Sequence, residues 1–135
     1  MKKYNVILVY NENKDKILMC RREKEPYKGK YNLVGGKIEA GEKELDAAYR
    51  ELKEETGIDK NNIDLKHIMN FNYKLSDIEL EFFAGKLNKD VEVVEEVNKL
   101  YWIDAKENFF DLEKFAGEGN IGHMLMQLKL NEDLL

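Results

Sequence analysis

The sequence predicts a mixed α/β sandwich, because short strand-like segments and amphipathic helical segments alternate along the chain. Its 135 residues are 43% hydrophobic and 36% charged, which supplies apolar side chains for a core and charged ones to cover it. One proline and nine glycines are spread over the chain without a linker-like stretch or an internal repeat. We therefore expect a single domain over residues 1–135.

Six segments have the composition of β-strands, and three have helical periodicity. The predicted strands cover residues 4–10, 17–21, 31–34, 63–75, 78–86 and 100–103. The predicted helices cover residues 42–55, 105–115 and 121–130. The first helix has a narrow apolar stripe made of Leu45, Ala48 and Leu52. The last helix has a wider one made of Ile121, Met124, Leu125 and Leu128. One side of each of these helices should pack on the sheet.

Charge and hydropathy exclude several classes of protein. The 27 acidic residues exceed the 22 basic ones, and the net charge of −5 disfavours stable nucleic-acid binding, although a cluster such as Arg21, Arg22 and Lys24 could hold an anion. The apolar run at residues 6–10 is too short to span a membrane, and no secretory signal is visible. A lone Cys20 cannot form an internal disulfide, so we expect a cytoplasmic protein.

The most informative local feature is a group of three glutamates, Glu51, Glu54 and Glu55, whose spacing places them on one side of the first helix. Each like-charged pair costs an isolated helix about 0.2–0.5 kcal/mol, and the helix dipole disfavours anions near the C-terminus. One interpretation is a solvated acidic face paired with Arg50 and Lys53. The other is a site for a hard divalent cation, Mg²⁺ or Mn²⁺.

A glycine-containing loop with the sequence GGKIEAGE precedes this helix at residues 35–42. Glycine permits backbone conformations that are closed to other residues and lets a carbonyl group approach a ligand closely. Glu42 stands at the start of the predicted helix, where the dipole favours a carboxylate. The segment therefore has the composition of a shaped loop that leads into an acidic helix.

Read as one unit, the loop and helix resemble the signature of the Nudix hydrolase family. Gly36, Glu42 and the run RELKEETGI at residues 50–58 match every defined position and its spacing. The resemblance is specific over residues 36–58 and extends more weakly from the first strand to Trp102. It implies an α/β/α sandwich with a mixed β-sheet and a loop-helix-loop motif. It also implies a Mg²⁺- or Mn²⁺-dependent enzyme that hydrolyses a nucleoside diphosphate linked to another moiety.

The resemblance assigns roles to the matching residues position by position. The metal ligands would be the carboxylates of Glu51, Glu54 and Glu55 together with the backbone carbonyl of Gly35. Arg50 would orient the acidic residues. Supporting contacts within the loop and helix would come from Glu42 and Gly36.

The general base is left open, because members of the family use either a motif glutamate or a glutamate from a later loop. Glu51 is one catalytic candidate. Glu95 and Glu96 lie shortly before Trp102, in the region where MutT-like members carry an extra glutamate that binds metal or acts as the base, and we favour Glu96 of the two. Two exposed loop acids are the alternative interpretation of this pair.

Within the family, the chain is similar in size and plan to MutT-like enzymes. This similarity implies hydrolysis of a nucleoside triphosphate, including oxidised purine nucleotides such as 8-oxo-dGTP. The substrate-binding positions would be Arg22, Lys37 and Asn120. For Asn120 we favour the alternative of a helix N-cap. Leu33-Val34 stands where MutT-like proteins usually have Phe-Pro, so the pocket floor is expected to differ.

Two other functions keep the same fold. One is hydrolysis of a nucleoside diphosphate conjugate such as ADP-ribose or a nucleotide sugar. The other is a non-catalytic nucleotide-sensing module, which the complete set of motif glutamates disfavours. In every case the expected partner is a small nucleotide, without a membrane or a stable nucleic-acid complex, and the protein could be a monomer or a homodimer.

Overall fold

The computed structural model describes residues 1–131, 133 and 135. In this part of the chain a mixed β-sheet carries one α-helix on each face. The strands are β1 (Lys2–Tyr10), β2 (Lys16–Arg21), β3 (Tyr31–Asn32), β4 (Lys66–Tyr73), β5 (Ile78–Lys86) and β6 (Leu100–Asp104). The helices are α1 (Glu44–Thr56) and α2 (Asn120–Leu130). No helix among the described residues has the length and apolar character needed to cross a membrane.

Strands β1 and β5 form the centre of the sheet and run parallel, in register from the pair Lys2 and Ile78 onward. β4 pairs antiparallel with β5 at one edge. Along the other side of β1, the loop at residues 34–37 makes antiparallel contacts, and the Ile7 N–H donates to the Val34 carbonyl at 2.8 Å. β2 contacts the end of β1 and pairs with β3 and β6. The glycine loop is therefore fixed directly to a central strand.

Successive side chains of β1 point to opposite faces of the sheet, as the pleat of a strand requires. Ile7 and Val9 pack toward α1, in the same cluster as Leu52. Leu8 and Tyr10 pack on the other face, in the cluster that contains the buried side of α2. The predicted mixed α/β sandwich is confirmed, and so is the buried face of the last helix, since Ile121, Met124, Leu125 and Leu128 are all buried.

The helix predicted over residues 105–115 is wrong, because this segment forms a series of turns. The side chains of Asp104, Asn108 and Asp111 each accept a hydrogen bond from the backbone N–H two residues further on, at 2.9–3.1 Å. Asp and Asn side chains compete in this way with helical hydrogen bonds. Phe109 and Phe115 are nevertheless buried in the α2-side core, which explains the apolar spacing that suggested a helix.

Other boundaries also differ from the prediction, among them the end of β3 at Asn32 where a strand was expected to residue 34. The strand predicted over residues 63–75 is shorter, because residues 63–65 make only an isolated bridge at Ile63 and β4 begins at Lys66. Helix α1 begins at Glu44, so Glu42 lies in the preceding turn. Leu45 does not belong to the buried stripe: it is 44% exposed, because the side of α1 that faces the sheet runs through residues 47, 48 and 52.

Candidate active site

The glycine loop lies between Asn5 of β1 and the glutamates of α1. The Gly36 N–H donates to Oδ1 of Asn5 at 2.9 Å, and the Gly35 N–H donates to Oε2 of Glu55 at 3.2 Å. A Cβ atom at Gly36 would overlap the Glu51 carboxylate, and one at Gly35, where φ is 151°, would overlap the Asn5 carbonyl oxygen. Gly35 therefore requires glycine, whereas a side chain at Gly36 would displace the Glu51 carboxylate.

Arg50 connects the acidic side chains to one another. Its Nε and Nη2 donate to the two carboxylate oxygens of Glu42 at 2.6 and 2.9 Å, a bidentate pair. Its Nη1 donates to Glu51 at 3.0 Å and to Glu54 at 3.2 Å, and Nη2 also reaches the Lys37 carbonyl at 3.2 Å. One guanidinium thus holds the loop and the helix in a fixed relation.

The carboxylates differ in electrostatic environment. Burial raises the pKa of Glu55 to about 7, against the lowering effect of the Gly35 N–H. Burial also raises the pKa of Glu51, although Arg50 opposes it. The hydrogen bonds from Arg50 lower the pKa of Glu42. Ionisation of Glu51 and Glu55 is therefore costly unless a cation lies nearby. The Glu42 carboxylate differs, because the Arg50 guanidinium already neutralises it.

The donor set fits a hard divalent cation. Three carboxylates and a backbone carbonyl at Gly35 are oxygen ligands of the kind that such cations prefer. Among the residues that the structure describes, no three His, Cys, Asp or Glu side chains converge closely enough to form a complete metal site. Arg50 binds Glu51 and Glu54 itself. A cation would compete with Arg50 for these two carboxylates.

Glu95 and Glu96 lie in the loop between β5 and β6, near the carboxyl end of α1. The Val94 N–H in this loop donates to the Thr56 carbonyl at 2.9 Å. The Glu95 carboxylate accepts a hydrogen bond from the Leu100 N–H at 2.8 Å, which fixes it within the loop. Glu96 is exposed. Glu96 lies two residues after Val94, whose N–H joins the loop to the end of α1.

A cavity of about 520 Å³ lies between the sheet and α2, and it brings together Arg22 and Asn120. Nε of Arg22 donates to the Pro26 carbonyl at 2.6 Å, which orients the guanidinium. The amide nitrogen of Asn120 donates to the Tyr73 hydroxyl. The N-cap role favoured for Asn120 is wrong, because Gly119 is the cap residue and Asn120 is the first helical residue, with its side chain in the cavity lining.

Lys37 does not line this cavity. Its side chain borders a different cleft, next to Lys3 and Glu39 near the start of the chain. Its backbone contributes to the site through the carbonyl that accepts from Arg50. The three predicted substrate-binding residues are thus divided, with Arg22 and Asn120 in one cavity and Lys37 outside it.

Sequence reasoning missed several polar residues near the site. Asn5 and Glu81 are 2% and 1% exposed, and each has one buried side-chain atom without a hydrogen-bond partner among the described residues. Asn5 could have been noticed as the one polar residue in the strand YNVILVY. Asn32 and Glu118 line the cavity under α2, and no pattern in the sequence marks them.

The structure thus combines a glycine loop that leads into a glutamate-bearing helix with a largely apolar cavity on the opposite face of a mixed sheet. The chain belongs to the NUDIX domain family, which matches residues 1–122. This family comprises hydrolases that act on pyrophosphate bonds of nucleotides and their derivatives, and its members generally use divalent metals.

Relatives and solved structures agree with this assignment. An uncharacterized Nudix hydrolase of Bacillus subtilis is 31% identical over 119 residues, which cover 84% of this chain and 73% of that protein. An ADP-ribose pyrophosphatase of Methanocaldococcus jannaschii is 47% identical over 47 residues, which cover 35% of this chain and only 28% of that protein. A C. elegans Ap4A hydrolase shares the fold, with a TM-score of 0.76, 19% identity and complete coverage of both chains.

Proposed function

We propose that this protein is a divalent-metal-dependent hydrolase of a nucleoside diphosphate linked to a second moiety, of the ADP-ribose type. The observation that carries the proposal is the group Glu51, Glu54 and Glu55, in which Arg50 binds Glu51 and Glu54 and the Gly35 N–H of the glycine loop donates to Glu55. The archaeal relative named as an ADP-ribose pyrophosphatase supports the substrate class.

The cation would be Mg²⁺ or Mn²⁺, held by Glu51, Glu54, Glu55 and the Gly35 carbonyl. When bound, such an ion supplies the positive charge that polarises phosphoryl oxygens and lowers the pKa of a water molecule. The raised pKa of Glu55 supports this assignment, because a buried carboxylate without a cationic partner gains most from a neighbouring cation.

The protein's own residues position the reacting groups. Arg50, fixed by both oxygens of Glu42, sets the places of Glu51 and Glu54. A glutamate accepts the proton of the attacking water, and the candidates are Glu51, on the helix, and Glu96, in the loop that is hydrogen-bonded to its end. Water adds to one phosphorus of the diphosphate, and the bridging oxygen leaves with the other phosphate, so no covalent intermediate with the protein is required.

The nucleoside would occupy the cavity under α2. Asn120 offers an amide that both donates and accepts, which suits the edge of a purine base. Arg22 offers a guanidinium for the base edge or for a phosphate oxygen. The cavity volume of about 520 Å³ lies within the range usual for small-molecule sites.

A nucleoside triphosphate, including an oxidised purine nucleotide such as 8-oxo-dGTP, is the second candidate substrate. The observation that favours it is the pair of amides, Asn32 and Asn120, in the cavity. Two amides can together distinguish a purine whose hydrogen-bonding edge has been altered by oxidation. This candidate uses the same carboxylates and differs only in the leaving group, which would be pyrophosphate.

Product analysis with a nucleotide panel in Mg²⁺ or Mn²⁺ tests the proposal. ADP-ribose should give AMP and ribose 5-phosphate, whereas turnover of 8-oxo-dGTP to a monophosphate and pyrophosphate in preference to ADP-ribose would select the second candidate. Glu54→Gln and Glu55→Gln should each lower kcat by about 100-fold or more. Asp46→Asn, an exposed carboxylate on the same helix, serves as the matched control and should keep full activity. Unchanged turnover in the Glu54 and Glu55 variants would overturn the metal assignment.

A further inference from the structure

Asn5 on β1 is bound to the glycine loop through both its backbone and its side chain. The Asn5 N–H donates to the Gly36 carbonyl at 2.8 Å, and Oδ1 of Asn5 accepts from the Gly36 N–H at 2.9 Å. The Asn5 carbonyl lies so close to Gly35 that a Cβ atom there would overlap it. Asn5 therefore fixes the loop from the side of the sheet, whereas Glu55 binds it from the side of α1.

The three carbonyl groups of residues 34–36 differ in their hydrogen bonds. The Val34 carbonyl accepts from the Ile7 N–H, and the Gly36 carbonyl accepts from the Asn5 N–H. The Gly35 carbonyl between them accepts no hydrogen bond from any residue that the structure describes. A trans peptide unit directs its carbonyl and its N–H to opposite sides, so the bond from the Gly36 N–H to Asn5 turns the Gly35 carbonyl away from the Asn5 side chain. The Asn5 amide thus sets the direction of the carbonyl that is proposed to bind metal.

The Asn5 amide can serve the loop in only one orientation. A flipped amide would place Nδ2 against the Gly36 N–H, donor against donor. In the required orientation Nδ2 is buried and has no partner among the described residues. Glu81 is the residue paired with Asn5 across the parallel strands, and its Oε2 is also buried and without a partner in that part of the chain. Both side chains lie on the α1 face, two positions before Ile7 and Phe83 of the α1-side core.

Glu81 is an unusual residue for the centre of a sheet, because a buried carboxyl group without a partner is costly. Lys3, on the same face of β1, is paired with Glu44 and Glu79 instead. Buried polar groups in native proteins nearly always form hydrogen bonds. A donor on Asn5 and an acceptor on Glu81, on paired residues of one face, satisfy each other directly or through one bridging water molecule. Such a contact would hold the Asn5 amide in the orientation that the loop requires.

We propose that Asn5 is a positioning residue that sets the direction of the Gly35 carbonyl for metal binding, and that Glu81 fixes the orientation of the Asn5 amide. This proposal rests on the proposed function, because that function makes the Gly35 carbonyl a metal ligand. Neither side chain contacts the cation or the substrate. Their substitution should therefore weaken metal binding through the glycine loop, with all motif glutamates still present.

Binding of Mn²⁺ to the substrate-free protein, followed by the EPR signal of the free ion, tests the proposal without catalysis. Asn5→Leu removes both ends of the amide at similar volume and should weaken Mn²⁺ binding about tenfold. Glu81→Met removes the acceptor and should weaken it about fivefold, whereas Glu81→Gln keeps a carbonyl acceptor and should bind within about twofold of wild type. Wild-type affinity in Asn5→Leu would overturn the proposal.

A double-mutant cycle shows whether Glu81 acts through Asn5. If it does, Asn5→Leu combined with Glu81→Met should bind Mn²⁺ no more weakly than Asn5→Leu alone, because the contact is already lost. Additive losses would overturn the role of Glu81. Equal weakening in Glu81→Gln and Glu81→Met would do the same, since the charge of the side chain and not its acceptor would then matter.

Asn70→Leu is the matched control. Asn70 on β4 is paired with Glu81 from the other side, and it is exposed. The same change of residue is thus made next to Glu81 but away from the glycine loop, and Mn²⁺ affinity should stay at the wild-type value. An equal loss in this control would overturn the proposal, because the effect would then come from a general disturbance of the sheet. Urea unfolding verifies that the variants fold, and if Asn5→Leu does not, Glu81→Met carries the test with Asn5 in place.

Hydrolysis of ADP-ribose, measured in parallel, separates this proposal from the proposed function. If the wild type hydrolyses ADP-ribose and all variants bind Mn²⁺ equally well, the positioning role fails alone. If Mn²⁺ binding weakens as expected but no nucleotide is hydrolysed, the proposed function fails and the positioning role stands. If the wild type binds no Mn²⁺, both fail.

Discussion

The two faces of the sheet differ in what they bury. The α1 face buries polar and charged groups among its apolar residues, including Asn5, Glu81 and much of Glu55. The α2 face packs apolar and aromatic side chains such as Phe82 and Phe115 and leaves a cavity at its edge. The same central strand, β1, contributes to both. Under the proposed function, bond cleavage belongs to the α1 face and recognition to the α2 face, so substitutions on the two faces should affect different kinetic constants.

The largest effect is expected from Arg50→Lys on the α1 face. Lysine keeps the charge but loses the planar fork that holds both oxygens of Glu42 together with Glu51 and Glu54. We expect kcat to fall about 100-fold with KM within a fewfold of wild type. Steady-state kinetics on the best substrate measure this, with Lys53→Arg on the same helix as the control. Activity of Arg50→Lys within twofold of wild type would show that the fork has no positioning role.

A smaller effect, on KM and not on kcat, is expected from Asn120→Ala on the α2 face. This change removes the amide that lines the cavity and contacts Tyr73. KM should rise about tenfold while kcat stays near the wild-type value, since one hydrogen bond to the nucleotide is lost in ground and transition states alike. Gln127→Ala, exposed on the same helix, is the control. A fall in kcat with unchanged KM would contradict the division between the two faces.

The smallest effect concerns stability. Burial raises the pKa of Glu81, so the protonated form is favoured in the native state. Its stabilising contribution is present below the unfolded-state pKa of about 4.3 and is lost as pH rises through the raised native pKa. Glu81→Gln should therefore be more stable than wild type by about 1 kcal/mol at pH 7, an advantage that disappears near pH 4. Urea unfolding at both pH values measures this, with exposed Glu92→Gln as the control. A variant less stable than wild type at pH 7 would show that the charged carboxylate is stabilising.

Elements defined by apolar patterning were predictable from the sequence. β5 covers the residues expected for it, and α2 buries the expected face, because alternation and helical periodicity both follow directly from where side chains point. The segment at 105–115 was not predictable from apolar spacing. Its conformation depends on local hydrogen bonds from Asp104, Asn108 and Asp111, which override the apolar spacing.

The candidate site was predictable where it is contiguous in sequence. The motif identified Gly36, Glu42 and the glutamates of α1 as neighbours in one site. This was possible because a loop and the helix that directly follows it have little freedom of relative placement. The contact of Gly36 with Asn5 and the lining of the cavity by Asn32 and Glu118 depend on strand pairing between distant segments. Nothing in the local sequence encodes such pairing, and for the same reason the sequence left two roles open for Asn120, a substrate contact and the favoured helix cap.

The parallel pairing of β1 with β5 has a consequence for folding. β1 stands at the start of the chain, and its partner lies more than half the chain away, from Ile78 to Lys86. The glycine loop is hydrogen-bonded to β1, through Ile7 with Val34 and Asn5 with Gly36. Non-local contacts of this kind form slowly, because bringing the two strands together costs the entropy of closing the long intervening chain into a loop. The loop and the helix it precedes can therefore form early as a local unit. The loop reaches its final geometry only when β1 and β5 have paired, so the candidate site should mature in the last steps of folding.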